Sequence, residues 1–94
     1  MLNEYTLIEK EEVANLVFPQ EEVLKKEKEK DLLINELSRA IALGNLEHHK
    51  VKIYFEDDQG KKMVHTTIWG LTDKSVVLKQ NVIIPIRRIN NIIL

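Results

Sequence analysis

The chain has 94 residues, carries 14 Lys and Arg against 15 Asp and Glu for a net charge of −1, and contains no cysteine. That length suits one small domain around a single core, and the lack of thiols excludes disulfides and thiolate zinc sites. No apolar stretch reaches the ~18 residues of a bilayer span, and the start lacks the basic-then-apolar pattern of a secretory leader, so a soluble cytoplasmic protein without a cofactor is the expectation.

The small net charge hides a dipole. Residues 1–47 hold 6 Lys and Arg against 11 acids, a net of −5, whereas residues 48–94 hold 8 against 4, a net of +4. Residues 1–18 mix apolar clusters (Tyr5, Leu7, Ile8, then Val13, Leu16, Val17, Phe18) with Glu4, Glu9, Glu11 and Glu12. This predicts a short helix over Glu9–Val17 that Pro19 halts. Between Gln20 and Leu43 there is no Gly or Pro. That run predicts one long helix opening after Pro19 and stopping at Gly44. Its first half is dense in charge, with Glu21–Lys25 and Glu22–Lys26 in the favourable i, i+4 order, and is expected to project into solvent. Its second half sets Leu33, Ile34, Leu37, Ala40 and Ile41 on one apolar stripe that has to pack on something.

From Lys50 the period becomes two. Val51, Ile53 and Phe55 alternate with Lys52, Tyr54 and Glu56, the pattern of a half-buried strand. Asp57-Asp58-Gln59-Gly60 supplies a hairpin turn, with Gly60 free to take positive φ. The returning strand, Lys62–Leu71, puts Val64, Thr66 and Ile68 on one face and His65, Thr67 and Trp69 on the other, with Gly70 marking a bend or bulge. A turn at Thr72-Asp73-Lys74 leads to a third strand, Ser75–Lys79, and Gln80-Asn81 turns into a fourth, Val82–Ile84. Pro85 bars that strand from a central place. One tight helical turn at Ile86–Ile89 precedes a last strand, Asn90–Leu94, whose edge needs cover or a partner.

One helix, a long bent hairpin, two short strands, a tight turn and a last strand is the element order of Sm-like and SH3-like small barrels. Residues 67–94 resemble the second half of the Hfq-type Sm proteins. Thr67-Ile68-Trp69-Gly70-Leu71-Thr72-Asp73-Lys74-Ser75-Val76-Val77-Leu78-Lys79 stands where a bent strand leads through a tight turn into a Val/Leu strand. Val82-Ile83-Ile84-Pro85-Ile86-Arg87-Arg88-Ile89 stands where a polar hinge separates the last two strands. The resemblance implies an α+β fold in two parts: an acidic helical segment, residues 1–44, and a five-stranded, strongly bent antiparallel barrel, residues 45–94.

It also implies that Arg87 and Arg88 at the hinge face nucleic acid, where two guanidinium groups grip phosphate in bidentate fashion. The preferred reading of the residues is plainer: they cover a barrel edge or pair with the acidic arm. Lys50, Lys52 and Tyr54 on the first strand and Trp69 on the second interleave bases with aromatics, a pattern that binds single strands by phosphate attraction and stacking. Against this, an outward Trp69 serves as the surface on which Leu33, Leu37 and Ile41 of the helix pack, and that cover is preferred. His48, His49 and His65 lack metal-site spacing, and Asp57, Asp58 and Asp73 are turn formers. No nucleophile–base set or phosphate-cradling glycine loop can be assembled. The expected function is a non-enzymatic protein-interaction or assembly module that self-associates; the alternative is an Sm-like RNA binder using Arg87, Arg88, Lys79, Lys50 and Lys52.

Overall fold

In the computed structural model, which describes residues 4–47 and 49–94, the chain runs β1 (Thr6–Leu7), α1 (Lys10–Val13), α2 (Glu27–Glu47), β2 (Val51–Asp57), β3 (Gly60–Thr66), β4 (Ile68–Leu71), β5 (Ser75–Leu78), β6 (Ile83–Pro85) and β7 (Ile89–Ile93). The mixed α+β class with one long helix holds. The five-stranded barrel does not: the strands form a four-stranded sheet in the order β1-β3-β2-β7 and a three-stranded sheet in the order β4-β5-β6. Thr67 separates β3 from β4, so the returning strand breaks there and its second half leaves the first sheet. The register slips again between Ile68 and Gly70, as expected of a bulge. Helix α2 lies against β4 and β7, so a helix rather than a ladder of hydrogen bonds bridges the two sheets.

The predicted alternations appear in the core. Val51, Ile53 and Phe55 are buried, as are Val64, Thr66 and Ile68 on one face of the bent strand, while His65 and Trp69 face out. The Asp57–Gly60 turn forms as predicted. Gly60 takes φ +141°, and Asp57 Oδ1 accepts from the Gln59 and Gly60 N–H groups at 3.0 Å each and from Lys62 Nζ at 3.0 Å. β6 is an edge strand and Pro85 lies at its end, opposite Ser75. A single helical turn spans Ile86–Arg88.

The N-terminal half departs most from expectation. The short helix covers Lys10–Val13 instead of Glu9–Val17, opened by a capping box between Glu9 and Glu12. The long helix begins at Glu27, not after Pro19, and residues 14–26 run without helix or strand. The cause is competition for backbone groups. Arg87 donates from Nε to the Pro19 carbonyl at 2.9 Å and from Nη2 to the Phe18 carbonyl at 3.2 Å. Arg88 donates from Nη1 to the Glu21 carbonyl at 2.7 Å, Val23 N–H donates to the Arg87 carbonyl, and Asp58 N–H donates to the Val17 carbonyl, both at 2.9 Å. Helix propensity differs by well under ~1 kcal/mol per residue among ordinary residues, so several tertiary bonds override it.

The stretch is therefore a strap laid across the sheets instead of a projecting arm, and the radius of gyration, 12.1 Å, is that of one folded body of this length, about 12 Å. The helix also runs through Gly44 to Glu47, because glycine in a helix interior costs only about 1 kcal/mol relative to Ala. His48 lies outside the described residues. Of the predicted stripe, Leu33, Leu37 and Ala40 are buried and Ile41 is half-buried, whereas Ile34 remains exposed.

Candidate functional site

The outer face of the three-stranded sheet carries the largest exposed aromatic side chain. Alternation along the strands sends Ile68, Val76, Leu78 and Ile84 inward, each at most 1% exposed, and turns Trp69 and Ile83 outward at 56% and 50% exposure. Across the sheet, Gly70 stands opposite Val77, and Val77 opposite Ile83. The bulge places Trp69 and Gly70 together against Val77. A side chain at Gly70 would begin 3.9 Å from Val77 Cβ, so the glycine leaves a shallow floor between Trp69 and Val77. Trp69, half-buried Val77 and Ile83 thus form an apolar surface, and Lys79 Nζ lies over the Trp69 ring, 6.0 Å from its centroid.

Lys79 is held there by an uncommon turn. Gln80 and Asn81 both adopt positive φ, 64° and 61°, and the Leu78 N–H donates to the Val82 carbonyl at 2.7 Å. Val77 pairs with Ile83 and the next pair is Leu78 with Val82, so Lys79, Gln80 and Asn81 form a three-residue loop with its last two residues left-handed, and Gln80 Oε1 accepts from Lys10 Nζ at 3.2 Å, tying α1 to the turn.

The other sequence-derived residues are dispersed. Trp69 is not covered by the helix, because the stripe of Leu33, Leu37 and Ala40 turns into the core instead. Tyr54 does not face solvent either: it is 5% exposed under the Tyr5 ring, edge-on at a centroid distance of 5.0 Å. Arg88 is 6% exposed, donating from Nε to the Glu56 carbonyl at 3.0 Å as well as to Glu21. Arg87 is half-buried against the strap. Both guanidinium groups therefore bind carbonyls of their own chain rather than acidic side chains of the arm. Lys50 and Lys52 are exposed; Lys52 stands opposite His65 in the ladder. Lys50 and His65 share a shallow pocket with Lys10, Glu9 and Glu11 of the N-terminal segment, so acids accompany the bases there.

Sequence reading did not single out Val77 and Ile83, although alternation against Ile84 and Val76 would have assigned them outward. Tyr5 and Asn90 were also missed. Asn90 Nδ2 donates to the Tyr5 hydroxyl at 2.8 Å and to Glu56 Oε2 at 2.9 Å, and burial pushes the Tyr5 phenol up from its ordinary value. A two-residue strand such as β1 has too few positions to show any period. Compared with protein-family models, with curated proteins and with solved structures, the chain has no match.

Proposed function

We propose that the protein is a non-enzymatic interaction module that self-associates through the outer face of its three-stranded sheet. The observation that supports this reading is Trp69, the chain's single tryptophan, 56% exposed beside Val77 and Ile83 on a sheet whose outer strands, β4 and β6, are both edges. Exposed tryptophans on rigid strands are the residues that anchor interfaces, because they bury much apolar area at little conformational cost. Edge strands offer unpaired backbone groups in addition. Light scattering over a dilution series, read together with Trp69 emission, tests the proposal. Assembly should shift the emission to the blue as concentration rises, and Ile83→Lys should hold the protein monomeric. A constant monomer mass with unchanged emission would count against it.

A second reading, Sm-like nucleic-acid binding, draws on Lys79 beside the Trp69 ring, which together combine a cation with a stacking surface. Lys50 and Lys52 belong to this reading as exposed bases. Its test is short RNA at low salt, where phosphate attraction is strongest. Lys79→Glu is the informative variant, since Arg87 and Arg88 serve the fold and their reversal would report unfolding. Binding that survives Lys79→Glu unchanged removes the Trp69 face from this role.

A further inference from the structure

On the other sheet, the N-terminal segment Glu4–Ile8 lies over a surface like a clip. Thr6 and Leu7 pair in parallel with Lys62 and Met63, and the Ile8 N–H donates to the Met63 carbonyl at 2.9 Å. The Tyr5 ring meets Tyr54 edge-on, its hydroxyl accepts from Asn90, and Glu4 Oε1 accepts from Lys61 Nζ at 3.1 Å. Little of the clip itself enters the core. Leu7 is 64% exposed, Thr6 and Glu4 are exposed, and only Ile8 leans on the buried cluster. The partners it uses, by contrast, are fixed by the sheet: Tyr54 by its ladder with both β3 and β7, and Asn90 by β7 itself.

We propose that the β3 edge, with Tyr54, Asn90 and Lys61, is a docking site for an extended peptide strand bearing an acidic residue followed by tyrosine, and that residues 4–8 fill it in cis. Each element of the site selects one part of such a partner. The β3 edge supplies main-chain bonds to any extended segment. Tyr54 takes an aromatic ring edge-on, Asn90 donates to a phenolic hydroxyl, and Lys61 attracts the preceding carboxylate. A parallel ladder only two residues long is readily exchanged, whereas its covalent attachment gives it a high effective concentration over any competitor. The clip is thus an internal competitor that sets how strongly an outside strand must bind.

The test uses the full chain with Tyr5→Ala and a labelled synthetic peptide, Glu-Tyr-Thr-Leu-Ile-Glu, followed by fluorescence anisotropy and by amide shifts. The peptide should bind Tyr5→Ala at least about tenfold more tightly than the unaltered chain, whose own clip competes. Shifts should concentrate on Lys62, Met63 and Asn90, and adding Lys61→Glu or replacing the peptide tyrosine by alanine should abolish or strongly weaken binding. If Tyr5→Ala fails to fold, the exposed change Glu4→Lys serves in its place, opposing Lys61 without touching the packing. No binding to a folded clip variant, equal binding to variant and unaltered chain, or shifts centred on Trp69 would overturn the proposal. Because the site is on the opposite sheet from Trp69, Ile83→Lys leaves it intact, so its failure is distinguishable from failure of the self-association reading.

Discussion

Single residues hold this fold where two segments distant in sequence cross. Arg88 is the main one: a buried guanidinium whose Nε and Nη1 reach carbonyls of Glu56 and Glu21, one from the hairpin and one from the strap. Arg88→Ala strands both carbonyls and leaves a cavity, and should cost about 3 kcal/mol in urea unfolding. Arg88→Lys should recover little, because one ammonium cannot reproduce the fork. Gly60 provides a contrasting case. Nothing lies within 4 Å of where its Cβ would stand, yet φ is +141°, so Gly60→Ala should lose about 1–2 kcal/mol from dihedral strain alone. An unchanged midpoint for this variant would show that the turn relaxes. At the charged surface the sequence order misleads: Lys25 does reach Glu21 at 3.1 Å, but Glu22 pairs with Lys30 at 2.9 Å instead of with Lys26, since the strap replaces the helix that i, i+4 pairing assumes.

Among the elements, α2 shows how one helix divides its leucines between core and surface. Leu37 is fully buried and Leu32 is exposed. Leu37→Ala should destabilise by about 3 kcal/mol through lost transfer energy and a residual cavity, whereas Leu32→Ala should stay within about 0.5 kcal/mol. Equal losses in thermal unfolding would mean that the helix does not bridge the sheets as described. The three-stranded sheet makes the same division by alternation, with Ile84 inward and Ile83 outward as sequence neighbours. Its β5–β6 turn holds two non-glycine residues at positive φ, a conformation that glycine adopts without the crowding a Cβ brings. Asn81→Gly should therefore raise stability modestly, by roughly 0.5 kcal/mol, measurable as a shift in the urea midpoint without a change in slope.

For the molecule as a whole, the opposite charges of the two halves meet at the clip. The Lys61 ammonium holds the Glu4 carboxyl below its ordinary 4.5, and the same bond raises Lys61 above 10.5. A depressed carboxyl contributes attachment above its unfolded value and loses it as pH falls through the lowered one; the raised Lys61 and Tyr5 contribute below 10.5 and 10.0 and lose it as pH rises through their raised values. The clip should be held best between these limits, with its release more frequent toward both ends. Ring resonances of Tyr5 and the Ile8 amide would follow this release, and acid titration without any change before global unfolding would refute it. Both groups of the Glu4–Lys61 pair are exposed, so the effect should shrink with added salt.

Much of this architecture was legible in the sequence where one residue's neighbours in the chain are also its neighbours in space. Hairpin, edge proline, tight turn and the alternating faces of β2 to β6 follow from period-two burial and from the special dihedrals of Gly60 and Pro85, which are local properties. The start of the long helix, the inward turn of Arg87 and Arg88, the cover over Tyr54 and the bare Trp69 were not legible. Each depends on which segment, some 30 to 85 positions away in the chain, reaches a backbone carbonyl or an aromatic face first. Amphipathic spacing requires an apolar stripe to be buried without naming its partner; in this molecule the gap between two sheets took the stripe of α2, and the tryptophan expected beneath it was left facing solvent.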